Sequence, residues 1–262
     1  MAFLNEPIRT MRPVILLLFL SCLSPLLPAQ EVETRLVVRA RSKDAKFIGS
    51  SVGGAWVLVR DAHSGKLLAE GPITGSTGNT ARIMEQPRER YSQLADAETA
   101  GFRTSLRLQK PLFVTVELLA PYNQPGARVQ AQTQLWLLPG RHIEGDGLVL
   151  EVPGFIVNVL APQTHETIAL GKPLPLTANV VMMCGCPISP GGLWDARGYQ
   201  VEALVYQADK LLQRIPLQAT QKTSTFAGDF TPQAAGLYEV IITAYDAKTG
   251  NTGVDKVNFI IQ

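Results

Sequence analysis

Apolar and polar residues alternate with a period of two along residues 128–137, and this pattern constrains the fold more than any other feature. One side carries Val129, Ala131, Thr133, Leu135 and Leu137, and the other carries Arg128, Gln130, Gln132 and Gln134. Successive side chains of a β-strand point to opposite faces of a sheet, so the pattern predicts a strand with one buried and one solvated face. Residues 102–108 repeat it.

Short strand-like segments bounded by turn residues follow one another along the whole chain. Residues 87–100 are the one candidate for a helix, and we expect a short surface helix or a long loop there. Many short strands with almost no helix predict an all-β chain of antiparallel β-sandwiches. Pro153-Gly154 divides them, which predicts two consecutive domains at residues 30–153 and 154–262.

The last hairpin carries a recognisable set of residues. Gly236-Leu237-Tyr238 opens a strand, Ala244-Tyr245-Asp246 closes it, and Gly250-Asn251 turns into a final β-branched strand. This stretch resembles the last hairpin of bacterial immunoglobulin-like domains. The resemblance implies an immunoglobulin-like second domain in which Tyr238 packs at a corner and its hydroxyl bonds back to the backbone. It implies no activity.

Residues 30–153 resemble, more distantly, the sandwich modules of carboxypeptidase-regulatory or transthyretin type.

The N-terminus has the layout of a signal peptide. Arg9 and Arg12 precede the apolar run 14–20, and Ala29 supplies a small residue before Gln30. We therefore expect residues 1–29 to be removed on export to the periplasm or the medium. The apolar run is shorter than the about 20 residues that span a bilayer, so we expect no membrane anchor beyond the signal. Translation can start at Met1 or Met11.

Cys22 raises the question of a bacterial lipoprotein. Such sites usually have an aliphatic residue three positions before the cysteine and a small residue two positions before, where this chain has Phe19 and Leu20. We therefore expect Cys22 to leave with the signal. Cys184 and Cys186 then have only each other as partners in an oxidising compartment.

Composition excludes several classes of protein. Apolar residues make up 46% and charged residues 18%, which excludes a disordered chain. The net charge of +2, with no basic cluster, indicates no nucleic-acid partner.

Two common catalytic motifs are missing from the sequence: there is no Gly-rich phosphate loop and no His-Glu-x-x-His. The three histidines, His63, His142 and His165, stand apart beside turns, and we expect each to be solvated. The chain is thus expected to be non-catalytic, and an enzyme would need a pocket between the domains.

The segment 182–199 is the exception, because it combines Cys184-Gly185-Cys186 with methionines, glycines, prolines and Trp194. Three interpretations compete. Thiolates and thioethers are ligands for Cu(I), so Cys184 and Cys186 could bind this ion with Met183 as a third ligand. The pair could instead cycle between dithiol and disulfide, or it could be an inert local disulfide.

The immunoglobulin-like resemblance implies that this loop and the last hairpin lie at the same end of the domain. Trp194, Tyr245 and Asp246 are therefore the predicted binding residues, and Trp194 either caps a site or plugs the loop from below. These features predict an exported accessory protein of the bacterial envelope that binds another envelope protein and, through its cysteines, Cu(I). The alternative is a structural or protein-interaction module with an inert or redox-active disulfide.

Overall fold

The computed structural model of the chain describes Ala2 and residues 30–262. The predictions for the signal peptide, for Cys22 and for a start at Met1 or Met11 lie outside the described residues.

β-Strands dominate the described part of the chain. The strands before Pro153 are β1 (Val32–Ser42), β2 (Ala55–Asp61), β3 (Leu67–Ile73), β4 (Phe102–Leu108), β5 (Leu112–Ala120), β6 (Val129–Leu137) and β7 (Ile143–Val152). The strands after it are β8 (Phe155–Ala161), β9 (Thr167–Ile168), β10 (Leu174–Met182), β11 (Gln200–Gln207), β12 (Lys210–Pro216), β13 (Gln218–Ala219), β14 (Thr225–Phe230), β15 (Gly236–Tyr245) and β16 (Thr252–Ile261). The all-β fold class is confirmed.

Among the described residues, helical structure is limited to single turns. They are 3-10 turns at Ser50–Val52 and Ala196–Gly198 and a π-helical turn at Ala81–Glu85. Residues 87–100 form turns and irregular backbone, the second of the two expected outcomes. The period-two patterns at residues 102–108 and 128–137 became β4 and β6.

The first sandwich, β1–β7, packs two sheets face to face. Their strand orders are β4-β1-β7 and β3-β2-β5-β6. Inward-facing residues such as Leu36, Val57 and Val116 are fully buried between them. All of its pairs are antiparallel except β1 with β7, which run parallel. The alternating pattern reports which face is buried and carries no information about the direction of the neighbouring strand.

The second sandwich, β8–β16, has sheets of order β13-β14-β10-β8 and β12-β11-β15-β16-β9. With β8, β10, β11, β14, β15 and β16 taken as strands A, B, C, E, F and G, this is the immunoglobulin-like arrangement. Tyr238 is buried, and its hydroxyl donates to the Ala234 carbonyl at 2.8 Å. The tyrosine bond expected from the resemblance is therefore confirmed.

The two sandwiches meet directly and share residues at their contact. Ala45, from the turn after β1, packs in the core of the second sandwich, whereas Ile156 and Met183 pack in the core of the first. The domain boundaries given above stay a prediction, because packing alone does not show which part folds by itself.

Candidate functional site: the cysteine loop at the joint between the sandwiches

The Cys184-Gly185-Cys186 turn begins where β10 ends. The N–H of Gly185 donates to the Met182 carbonyl at 2.7 Å, and Cys184 and Cys186 form a disulfide with their Cα atoms 5.3 Å apart. Gly185 has a φ of 75°, and a Cβ built there would lie 2.3 Å from a methyl carbon of Val52 in the first sandwich. Glycine is thus needed both for the left-handed turn and for the close approach of the two sandwiches.

The predicted copper ligands fall on opposite sides of this turn. Cys184 and Cys186 are 1% and 5% exposed and pack in the second core, whereas Met183 is 1% exposed and packs in the first core. Met183 therefore faces the opposite way from Met182, which packs in the second core. In the disulfide state the two sulfurs offer no thiolate to Cu(I). Residues 30–262 contain no cluster of three or more His, Cys, Asp or Glu side chains that could hold a metal. Copper binding stays a prediction.

The rest of the loop is held by hydrogen bonds around Asp195. Its carboxylate accepts from the N–H groups of Gly191 and Arg197, and from the Arg197 guanidinium at 2.9 Å. These bonds, above all that from the guanidinium, hold the pKa of Asp195 well below its usual range. The loop is consequently an ordered structure that can position Trp194.

Trp194 points inward. Its side chain is 6% exposed and packs in the core of the second sandwich, and its indole N–H donates to the carbonyl of Asp44 at 2.9 Å. Asp44 belongs to the turn that follows β1. Of the two predicted placements, Trp194 has that of a plug beneath the loop, and it also bonds across the joint.

The hairpin between β15 and β16 reaches the same turn of the first sandwich. Asn251 is fully buried; its Oδ1 accepts from the Gly154 N–H at 2.8 Å, and its Nδ2 donates to the Lys43 carbonyl at 3.2 Å. Asp246 is also buried, and it accepts from the Thr249 hydroxyl at 2.6 Å and the Lys248 N–H at 2.9 Å. Asp246 therefore shapes the hairpin that positions Asn251.

Carboxylates accumulate at this joint. Burial raises the pKa of Asp44, and the nearby charge of Asp246 raises it further. Burial likewise raises the pKa of Tyr199 to about 12, with Asp246, Asp44 and Asp195 adding to the effect. Negative charge close to a phenol disfavours the phenolate, so Tyr199 stays protonated.

Two of the cavities along the joint are bordered by predicted site residues. One of about 450 Å³ is bordered by the disulfide, Trp194, Lys46 and Glu85. The other, of about 470 Å³, is bordered by Met183, Tyr245, Val254, Phe155 and Arg128. The predicted site residues are therefore divided: the cysteines and Trp194 line one cavity, and Met183 and Tyr245 line the other.

The structure thus brings the two predicted loops to one turn of the first sandwich, residues 43–47. Sequence reasoning did not identify this turn, since Lys43-Asp44-Ala45-Lys46 has no motif or periodicity of its own. The only sequence feature that pointed to a joint was Pro153-Gly154, which lies between the two sandwiches.

Comparisons with known proteins leave the family open. No family model and no curated protein matches the chain. Among solved structures, the fibronectin(III)-like modules of Clostridium thermocellum CbhA are 12% identical, cover 86% of this chain and 88% of theirs, and have a TM-score of 0.29. The titin I-band fragment I67-I69 is 11% identical, and the match covers 88% of this chain and 60% of the titin fragment, with a TM-score of 0.26.

An engineered protein is 17% identical over 45% of this chain, with a TM-score of 0.32, and this chain covers only 22% of its length. At such TM-scores the immunoglobulin-like assignment rests on the strand order and the Tyr238 bond.

No helix among the described residues has the length and hydrophobicity to cross a membrane.

Proposed function

We propose that the chain is an exported, non-catalytic accessory protein of the bacterial envelope that binds another envelope protein through two sandwiches held at a fixed angle. One observation carries this proposal: the loop that the sequence singles out faces the first sandwich. Trp194 and Asn251 each donate a hydrogen bond to the turn at residues 43–47. The loop therefore ties the sandwiches together.

A fixed joint suits a binding protein for an energetic reason. Association costs conformational freedom, and a protein whose surfaces are already held in their bound arrangement loses less of it. Both sandwiches can then contact one partner without an ordering cost at the joint. Immunoglobulin-like folds host many functions, so this role is proposed from the joint and not from the fold.

The disulfide supports export and a clamping role. Structural disulfides persist in oxidising compartments such as the periplasm. A bond that closes so small a loop contributes about 1–2 kcal/mol by the chain-entropy model. Because Cys184 and Cys186 are 1% and 5% exposed, an attacking thiolate has to open the joint first. This burial favours the inert clamp over redox cycling.

The first experiment isolates the protein from the periplasm and measures its intact mass and its thiols. We expect a chain that starts at Gln30, lacks two hydrogen atoms relative to the dithiol, and shows no free thiol until it is both unfolded and reduced. Cys22→Ser is the matched control, since it should leave the mature mass unchanged. Unprocessed protein or two reactive thiols would contradict the proposal.

The second experiment tests partner binding in living cells. A photo-crosslinking residue is placed at Leu138 of the first sandwich or at Leu237 of the second, both of which are exposed. We expect both positions to capture the same envelope protein and Trp194→Ala to reduce that capture. Wild-type protein that captures no partner from either position would refute the binding role.

A further inference from the structure

Arg39 of β1 is a buried cation without a carboxylate partner. Its side chain is 3% exposed, Nη1 donates to the carbonyls of Thr99 and Ala100, and Nη2 donates to the Gly145 carbonyl at 3.2 Å. Its Nε–H has no hydrogen-bond partner in residues 30–262. Buried charges are costly unless paired, and Asp146 and Asp96 act on this guanidinium through space but form no ion pair with it.

A cavity of about 460 Å³ lies beside it in the first sandwich. Three guanidinium groups and two carboxylates border it, those of Arg35, Arg39, Arg103, Asp96 and Glu144. The surplus on the wall is thus one positive charge. Val37 and Ala97 give the cavity an apolar part.

Both carboxylates on the wall already have partners. Glu144 forms an ion pair with Arg35 at 2.8 Å, and Asp96 accepts from the Thr99 hydroxyl at 2.6 Å. Neither Arg39 nor Arg103 forms an ion pair within residues 30–262, and Arg103 donates to the Ala97 carbonyl at 3.5 Å. Burial lowers the pKa of Arg39 and the charge of Arg103 lowers it further, whereas the charges of Asp146 and Asp96 raise it.

We propose that this cavity binds a carboxylate attached to an apolar body. Arg39 and Arg103 hold the carboxylate, because guanidinium groups form strong charge-assisted hydrogen bonds with it. Val37 and Ala97 contact the apolar body. A single negative charge balances the surplus on the wall, whereas Asp96 and Glu144 disfavour a doubly charged phosphate.

The carboxylate could belong to a free organic acid or to the C-terminus of a partner peptide, which share this chemistry. The site lies away from the joint, so the proposed function would stand if no ligand bound here.

The test titrates the mature wild-type protein by calorimetry with hexanoate and with neutral hexanamide. We expect hexanoate to bind and hexanamide to bind at least about tenfold more weakly, since a charge-assisted hydrogen bond is lost. Arg103→Gln should weaken hexanoate about tenfold. The matched control Arg107→Gln changes an exposed arginine on the same face of β4 that does not border the cavity, and it should bind like the wild type.

A leucine-ended tripeptide with a free or an amidated C-terminus distinguishes the two sources. Tighter binding of the free-carboxylate peptide than of hexanoate identifies a peptide C-terminus, and the reverse order identifies a free acid. The proposal is overturned if neither acid binds, if hexanamide matches hexanoate, if inorganic phosphate binds more tightly than hexanoate, or if Arg103→Gln binds like the wild type. Circular dichroism verifies that each variant is folded.

Discussion

The joint between the sandwiches can be tested by Asn251→Ala. The substitution removes the acceptor of the Gly154 N–H and the donor to the Lys43 carbonyl, both in a fully buried position. A buried N–H left without a partner costs about 1–3 kcal/mol, and the unpaired carbonyl adds to this. We therefore expect the free energy of unfolding to fall by about 2–4 kcal/mol.

The measurement is urea unfolding followed by tryptophan fluorescence and, independently, by circular dichroism. Trp56 and Trp136 report on the first sandwich and Trp194 on the second, so fluorescence follows both. If the joint couples the sandwiches, the wild type unfolds in one transition that both methods report at the same urea concentration. In Asn251→Ala, this single unfolding transition should separate into two.

Asn258→Ala is the matched control. Asn258 lies on the adjoining strand β16, is half-buried, and its side chain makes no hydrogen bond within residues 30–262. We expect it to cost less than about 0.5 kcal/mol, as surface substitutions usually do. Equal costs for the two variants, or a single unchanged transition in Asn251→Ala, would refute the role of Asn251 in the joint.

Three further predictions concern single residues. The folded chain holds the proton of Tyr199 more tightly than the unfolded chain does, because its pKa is raised to about 12. The stability that the protonated tyrosine contributes is therefore full below a pH of about 10 and is lost as the pH rises through about 12. Alkaline unfolding of Tyr199→Phe should lack this loss. Tyr238→Phe removes the bond to Ala234 and should cost about 1 kcal/mol in thermal unfolding, whereas Tyr206→Phe, which loses no such bond, should cost less. Oxidised protein should take up no Cu(I) in dialysis, because both sulfurs are in the disulfide. If the protein instead binds one equivalent of Cu(I), and the double substitution Cys184→Ser with Cys186→Ser abolishes this binding, the soft-metal interpretation is supported.

Strand positions and buried faces were predictable because the side-chain period of a strand is a local property. Residues 102–108 and 128–137 show this, since the alternation of apolar and polar residues predicted the strands β4 and β6. The Tyr238 bond was predictable for a similar reason, because its partner Ala234 lies only four residues away.

Arg39 shows where local patterns fail. It stands in the run Leu36-Val37-Val38-Arg39-Ala40, where an arginine would ordinarily face solvent. In the structure it is buried because Thr99, Ala100 and Gly145 supply carbonyls to its guanidinium. Those partners come from the loop before β4 and from strand β7, and no short stretch of sequence indicates that they meet.

The cysteine loop shows both what the sequence predicts and what only the tertiary structure decides. The sequence predicted that Cys184 and Cys186 have only each other as disulfide partners, because Cys22 is expected to leave with the signal. Only the tertiary structure decided that the loop faces inward, where Trp194 bonds to Asp44 across 150 positions, and that the last hairpin meets the same turn, where Asn251 bonds to Lys43 across 208. Contacts at such separations follow from how the two sandwiches pack, and packing depends on whole surfaces that no local pattern describes.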